Sequence, residues 1–314
     1  MITLDDVADA ARRIAPFLRR TPLVDSAPAH APLARGAAVS LKLECLQVSG
    51  SFKARGAFSR LTLLGAAARA KGLVTASGGN HGIAVAYAAR AAGLAATVVV
   101  PEGIHPDKAQ RIRAHGARLI VEGSLWDEAN DRARAIAEAT GAAYIHPFAD
   151  PAVAAGQGTI AAEMLADAPH LDTLLVAIGG GGLIAGIAAA AAALKPGIRI
   201  VGVEPTGAPT LHDSLAAGEV VTLASVTTRV PTLAARRTEP QNFALIRRHV
   251  DRVVLVEDED LARAARHLWA EYGIAADLSG AASAAALLAG AYRPEPGESV
   301  GVIVCGAGAD GTRG

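Results

Sequence analysis

The chain has 314 residues, with Lys+Arg and Asp+Glu both at 30, so its formal charge is zero and no basic field points to nucleic acid or an anionic membrane surface. Hydrophobic residues make up 51% but aromatics only 4%, a balance that suits one large domain or two smaller ones with a sizeable core. Two cysteines, Cys45 and Cys305, supply no disulfide framework, and charges from Asp5 to Arg13 leave no signal-peptide core. A cytoplasmic setting is expected.

Strand-like and helix-like stretches alternate along the chain. Thr3-Leu4-Asp5-Asp6 has the pattern of a helix cap and opens a helix ending near Arg19. Strands are predicted at 39–44, 73–76, 96–100, 117–121, 142–145, 173–177, 199–203, 253–256 and 299–304. Helices are predicted near 52–65, 80–92, 106–115, 125–139, 151–166, 183–194, 208–217, 259–272 and 280–290, with Pro106 and Pro151 at first-turn positions. Such alternation implies an α/β fold with mainly parallel sheet covered by helices on both faces. Residues 218–245, with Pro231 and Pro240 and no clean period, read as a long loop near a site. The uncharged run Thr173 to Leu194 is long enough for a membrane span, but four consecutive glycines inside it favour a buried strand, a turn and a buried helix.

Two stretches carry the chemistry. Ser49-Gly50-Ser51-Phe52-Lys53-Ala54-Arg55-Gly56 places a lysine just inside a predicted helix start. Gly179, Gly180, Gly181 and Gly182, followed by Leu183, stand between an apolar strand and an alanine-rich helix. Backbone N–H groups at a helix start bind phosphate, and a lysine amine condenses with an aldehyde. Together they suit a phosphorylated aldehyde cofactor, pyridoxal 5'-phosphate. The glycine run alone also passes as a dinucleotide fingerprint, Gly180-x-Gly182-x-x-Ala185, with Glu204 placed like a ribose-binding acid. That alternative predicts a nucleotide-binding oxidoreductase.

Further blocks follow in order: SGGNHG at 77–82, VVVPEG at 98–103, HPF at 146–148, AGQGTIAAE at 155–163, VGVEP at 201–205 and VCGAGAD at 304–310. With the two stretches above, the chain resembles the fold-type II pyridoxal-phosphate enzymes, in particular the serine/threonine dehydratase and serine racemase group. The resemblance implies two open, twisted, mainly parallel sheets. A small domain at 66–147 would be inserted into a large cofactor-binding domain formed by 1–65 and 148–314. Lys53 would hold the cofactor as a Schiff base and later take the substrate's Cα proton. Phe52 would pack beside the cofactor, or simply in the core. Gly179 to Leu183 would wrap its phosphate, Asn80 would bond its phenolic oxygen, and Cys305 would face its pyridine nitrogen. Ser77, Gly78, Gly79, Asn80 and His81 would hold the substrate carboxylate, while Ser77 and Asn80 read equally as helix caps. The imidazoles of His81 and His146 read as structural. Glu204, with the Ala208 carbonyl and Thr210, would sit where relatives bind a cation, monovalent or divalent; a single carboxylate favours a monovalent ion or no ion over a divalent one.

The chain departs from the resembled pattern in four places. Gly78 stands where serine racemases carry an acidic serine hydroxyl, which argues against a two-base racemase. Asp277-Leu278-Ser279 replaces a Glu-Pro-Thr/Ser segment, and Ala234-Ala235-Arg236 an Ala-Asp-Gly segment. Arg236 or Arg237 would pair an extra substrate carboxylate, or be a solvated surface charge. The sequence ends soon after the VCGAGAD block, so no regulatory domain is expected. The implied reaction is elimination of water and ammonia from a small β-hydroxy amino acid, L-threonine or L-serine first, in a homodimer. The alternatives within the family are hydroxyaspartate or arylserine dehydration, racemisation and β-replacement, and a silent cofactor-binding relative stays open.

Overall fold

A computed structural model describes residues 2–77 and 79–312. In chain order the elements are α1 (Leu4–Ile14), β1 (Leu23–Asp25), β2 (Ala38–Lys42), α2 (Lys53–Thr62), α3 (Ala66–Ala70), β3 (Leu73–Ala76), α4 (Asn80–Ala91), β4 (Ala96–Val100), α5 (Pro106–Ala114) and β5 (Arg118–Val121). They continue with α6 (Trp126–Thr140), β6 (Ala143–Tyr144), α7 (Pro151–Asp167), β7 (Thr173–Ala177), α8 (Gly182–Leu194), β8 (Arg199–Pro205) and α9 (Thr210–Ala217). The last are α10 (Pro240–His249), β9 (Arg252–Val256), α11 (Asp258–Tyr272), α12 (Ala282–Leu288) and β10 (Ser299–Ile303).

Two sheets form. The larger runs β1-β2-β10-β7-β8-β9 and the smaller β5-β4-β3-β6. Every pairing is parallel except β1 with β2. Parallel strands covered by helices on both faces must be apolar throughout, and β3 and β7 are buried at every position. The run 173–194 resolves as expected into β7, a glycine turn and α8, whose core includes Ile184 and Ile187. No helix among the described residues is long and apolar enough to cross a membrane.

Four local readings change, one of them the short helix α3 (Ala66–Ala70), which falls between the helices predicted at 52–65 and 80–92. Strand β1 is new; it is short and half-exposed, so it lacks the apolar run that marks the other strands. Helix α10 occupies the end of the stretch expected as loop. Pro240, read there as a breaker, takes the first-turn position where a missing N–H costs nothing. The first helix stops at Ile14, and the chain tightens into a 3-10 turn at Ala15–Phe17.

Helix α2 joins the two halves. Its Ala54, Ala57, Phe58 and Leu61 share a core with the smaller sheet and with Ile83 and Val85 of α4. On its other side Arg55 is fully buried, donating to Glu44 and Glu163, while Lys42 also bonds Glu163. Two cations and two carboxylates thus neutralise one another beneath the first turn of α2, which begins with Lys53.

Candidate active site

In open α/β sheets, ligands bind beyond the carboxyl ends of the strands. Four segments converge there: the chain after β2 leading to Lys53, the loop after β3, the glycine run after β7, and Cys305 after β10. They line one cleft of about 710 Å³ between the two sheets. All the cofactor-binding residues expected from the sequence line it, from Phe52 and Lys53 through Asn80 and Gly179–Leu183 to Cys305. Ser77, Gly79 and His81 line it as well. Gly78 lies outside the described residues.

The Lys53 amine donates to the Pro147 carbonyl at 2.8 Å and sits 5.1 Å from the Phe52 ring centroid. Burial lowers its pKa from 10.5 to about 8, against a small opposing effect from Cys305. A lysine in that range offers a substantial neutral fraction near physiological pH, as a carbonyl-reactive amine requires. Phe52 serves both roles foreseen for it, belonging to the main core and lining the cleft.

The glycine run is held open by what lies behind it. A Cβ at Gly180 would fall 2.4 Å from the Phe148 ring, and one at Gly182 would fall 2.8 Å from the Phe148 carbonyl oxygen. Gly181 caps α8 with positive φ (86°) and offers no side-chain acceptor to the first turn. The helix-start N–H groups therefore remain for an anion, which the helix dipole favours. This cradle, opposite a low-pKa lysine, fits pyridoxal phosphate. Phe148 was visible in the sequence only as part of the HPF block.

After β3, the Ser77 hydroxyl accepts from the N–H groups of Gly79 (2.9 Å) and Gly82 (2.7 Å), so the capping role foreseen for it is present. A helix leaves four N–H groups without intrahelical partners, so others remain for a carboxylate. Gly79 has φ of 146°, outside the range of most side chains. Asn80 does not use its side chain as a cap: Nδ2 donates to Asp277 Oδ2 at 2.8 Å. The His81 ring donates from Nε2 to the Ile145 carbonyl, and burial, with Lys53 nearby, keeps it neutral. His146 Nδ1 accepts from Phe148 and Ala149, and burial pushes that ring down to about 3.

Cys305 is buried, and its thiol donates to the Ser279 carbonyl at 3.3 Å. Burial, with Asp277 adding to it, raises its pKa far above the ordinary thiol range. It is a neutral group at any working pH.

Glu204 does not face the cleft as a ribose-binding acid would. Its carboxylate caps α9, accepting from Leu211 (2.8 and 3.1 Å) and His212 (2.9 Å). The Thr210 hydroxyl donates to the Ala235 carbonyl. Among the described residues no group of three or more His, Cys, Asp or Glu is arranged to hold a metal ion. Two backbone N–H groups, from Leu211 and His212, thus engage both oxygens of this single carboxylate, a poorer donor set for a divalent ion than for a monovalent one. Arg236 lines the cleft, but its guanidinium donates to the Leu223 carbonyl at 3.1 and 3.2 Å, and Arg237 donates to Thr222.

The fold and cleft are those of a cofactor-dependent α/β enzyme. Residues 14–306 match the model of the "Pyridoxal-phosphate dependent enzyme" family, and the chain belongs to it. It is 36% identical over 310 residues to an L-threonine ammonia-lyase of Thermotoga maritima, covering 99% of this chain and 76% of that protein. It is 38% identical over 307 residues to a phenylserine dehydratase of Ralstonia pickettii, covering 98% and 93% respectively. The solved structure of maize serine racemase superposes with a TM-score of 0.92 at 34% identity, over 97% of this chain and 93% of that one.

Proposed function

We propose that this chain is a β-eliminating ammonia-lyase that converts a small β-hydroxy amino acid, L-threonine or L-serine first, to a 2-oxo acid and ammonia. The observation that carries this reading is the pairing, in one cleft, of a lysine amine lowered to about 8 with an uncapped glycine helix start. Relatives named for threonine ammonia-lyase and phenylserine dehydratase activity support it.

When bound, pyridoxal phosphate supplies an aldehyde for the substrate amine and a ring that draws electrons from the substrate Cα. The chain's own groups do the rest. Gly179 to Leu183 would hold the phosphate, and Asn80 would donate to the phenolic oxygen. The N–H groups of the Ser77–His81 loop hold the substrate carboxylate. Lys53 would take the Cα proton as general base; its low pKa suits it to this near neutrality. Cys305, a neutral thiol, would face the ring nitrogen and would supply no carboxylate to keep it protonated. The β-hydroxyl would then leave as water, taking up the proton that Lys53 removed from Cα. The enamine product hydrolyses to the 2-oxo acid and ammonia.

The reading extends to a small domain at 66–147, a homodimer, a cytoplasmic setting and, at Glu204 with Ala208 and Thr210, at most a monovalent ion. The test is an assay for ammonia and 2-oxo acid on cofactor-loaded protein. The panel holds L-threonine, L-serine, both isomers of 3-hydroxyaspartate and phenylserine, with Lys53→Ala as control. Equal ammonia and oxo acid from one member, lost in the control, supports the proposal and names the substrate. No product from any member sinks it.

A further inference from the structure

Lys108, on α5 beside the smaller sheet, carries an ammonium that the mechanism above does not use. Its side chain crosses behind Gly79, where a Cβ would fall 2.5 Å from Lys108 Cδ, and its Nζ ends 3.2 Å from Asp277 Oδ2. It does not line the cleft. Asp277, buried in the turn before α12, accepts at every side. Oδ1 takes the Ser279 hydroxyl (2.8 Å) and the Gly280 N–H (2.7 Å), while Oδ2 takes Lys108 and the Asn80 amide (2.8 Å). Three residues along the same face of α5, Arg111 donates to the Ser49 carbonyl at 2.7 Å. Helix α5 therefore grips the rest of the chain at two points, and the first, through Asp277, is one step removed from Asn80.

We propose that Lys108 and Asp277 are a positioning pair that fixes which way the Asn80 amide faces, and so presents an N–H rather than a carbonyl to the phenolic oxygen of the bound cofactor. The inference rests on the cofactor assignment above. An Asn side chain has two N–H donors on one nitrogen and an acceptor oxygen opposite. With an anionic Asp277 on one side, the nitrogen must turn toward it, because the amide oxygen would meet negative charge there. The second N–H is then free for the cleft, which Asn80 lines. Lys108 keeps Asp277 anionic. A buried carboxylate stripped of its cation takes up a proton. A protonated Asp277 donates, and it would accept a turned amide that shows its oxygen to the phenolic oxygen.

The test uses the full chain loaded with pyridoxal phosphate, reading cofactor dissociation constant and visible absorbance, with thermal unfolding as a check on folding. Lys108→Met should bind the cofactor about tenfold more weakly, the size of loss typical when a ligand's supporting partner is removed. Its visible band should also lose intensity to the near-ultraviolet, because the ionised phenolic oxygen has lost its donor. Lys108→Arg should restore both, and Lys108→Met should add nothing to Asn80→Ala, since it acts through that amide. An unchanged spectrum and affinity in Lys108→Met, or a full additional loss on top of Asn80→Ala, would overturn the proposal. Should Lys108→Met not fold, Lys108→Gln carries the same expectations. A parent protein that takes up no cofactor and shows no visible band refutes the cofactor reading itself, a result distinct from these.

Discussion

A lysine held at low pKa is a liability to the fold, and its size follows from the structure. Burial lowers Lys53 from 10.5 to about 8 in the folded, cofactor-free protein. At ~1.4 kcal/mol for each pH unit, the interval corresponds to at most about 3.5 kcal/mol of stability withheld at neutral pH. The sign is fixed by proton counting. Between pH 8 and 10.5 the unfolded chain holds a proton on Lys53 that the folded chain has released, so folding stability rises with pH across that window. Lys53→Met has no such proton. The variant should therefore gain on the parent protein below pH 8, and the gain should disappear as pH approaches 10.5. Loss of the hydrogen bond to the Pro147 carbonyl works the other way, by about 1 kcal/mol, and that carbonyl lines an open cleft where water can replace the ammonium. Urea unfolding of both proteins without cofactor, from pH 7 to 10.5, measures the difference. A difference that stays flat with pH would refute the reasoning, because it would mean that the amine titrates alike in both states.

Other consequences can be measured alongside. Gly182→Ala meets backbone at Phe148 and should weaken cofactor binding at least about tenfold while destabilising the fold by about 1–3 kcal/mol. Gly180→Ala meets the Phe148 ring first and should recover in part when Phe148 is shortened to Leu, as cofactor titration would show. Arg55→Met leaves Glu44 buried without its cation and should cost about 3–5 kcal/mol in urea unfolding. Chelator treatment should leave turnover unchanged, and replacing potassium in the buffer with a bulky organic cation tests for a monovalent ion at Glu204.

Much of the fold was legible because parallel strands buried on both faces read as apolar runs. Strands 73–76, 96–100 and 173–177 fall where the sequence places them. Strand β1 was not legible, since a three-residue strand facing solvent carries no periodic signal. Helix α10 was hidden because Pro240 signals a break and a first turn equally well, and only packing decides between them. At the site, Lys53 and the glycine run announce themselves through local chemistry. Phe148, the Pro147 carbonyl and the Lys108–Asp277 pair do not, because their meaning lies in approach across the cleft between residues far apart in sequence. Lys108 and Asp277 are 169 residues apart, and neither stands in a motif that names the other. Glu204 could be placed by spacing as a ribose-binding acid or a metal ligand, and only the structure shows that its oxygens accept from the first turn of α9 and lie away from the cleft.

The central claim is that Lys53 is the residue that binds the cofactor covalently. Borohydride reduction of protein loaded with pyridoxal phosphate, followed by peptide mass mapping, tests it most directly. The account predicts loss of the visible band and one phosphopyridoxyl group, on the peptide containing Lys53. A modification placed on Lys108 or another lysine, or none at all, would contradict it.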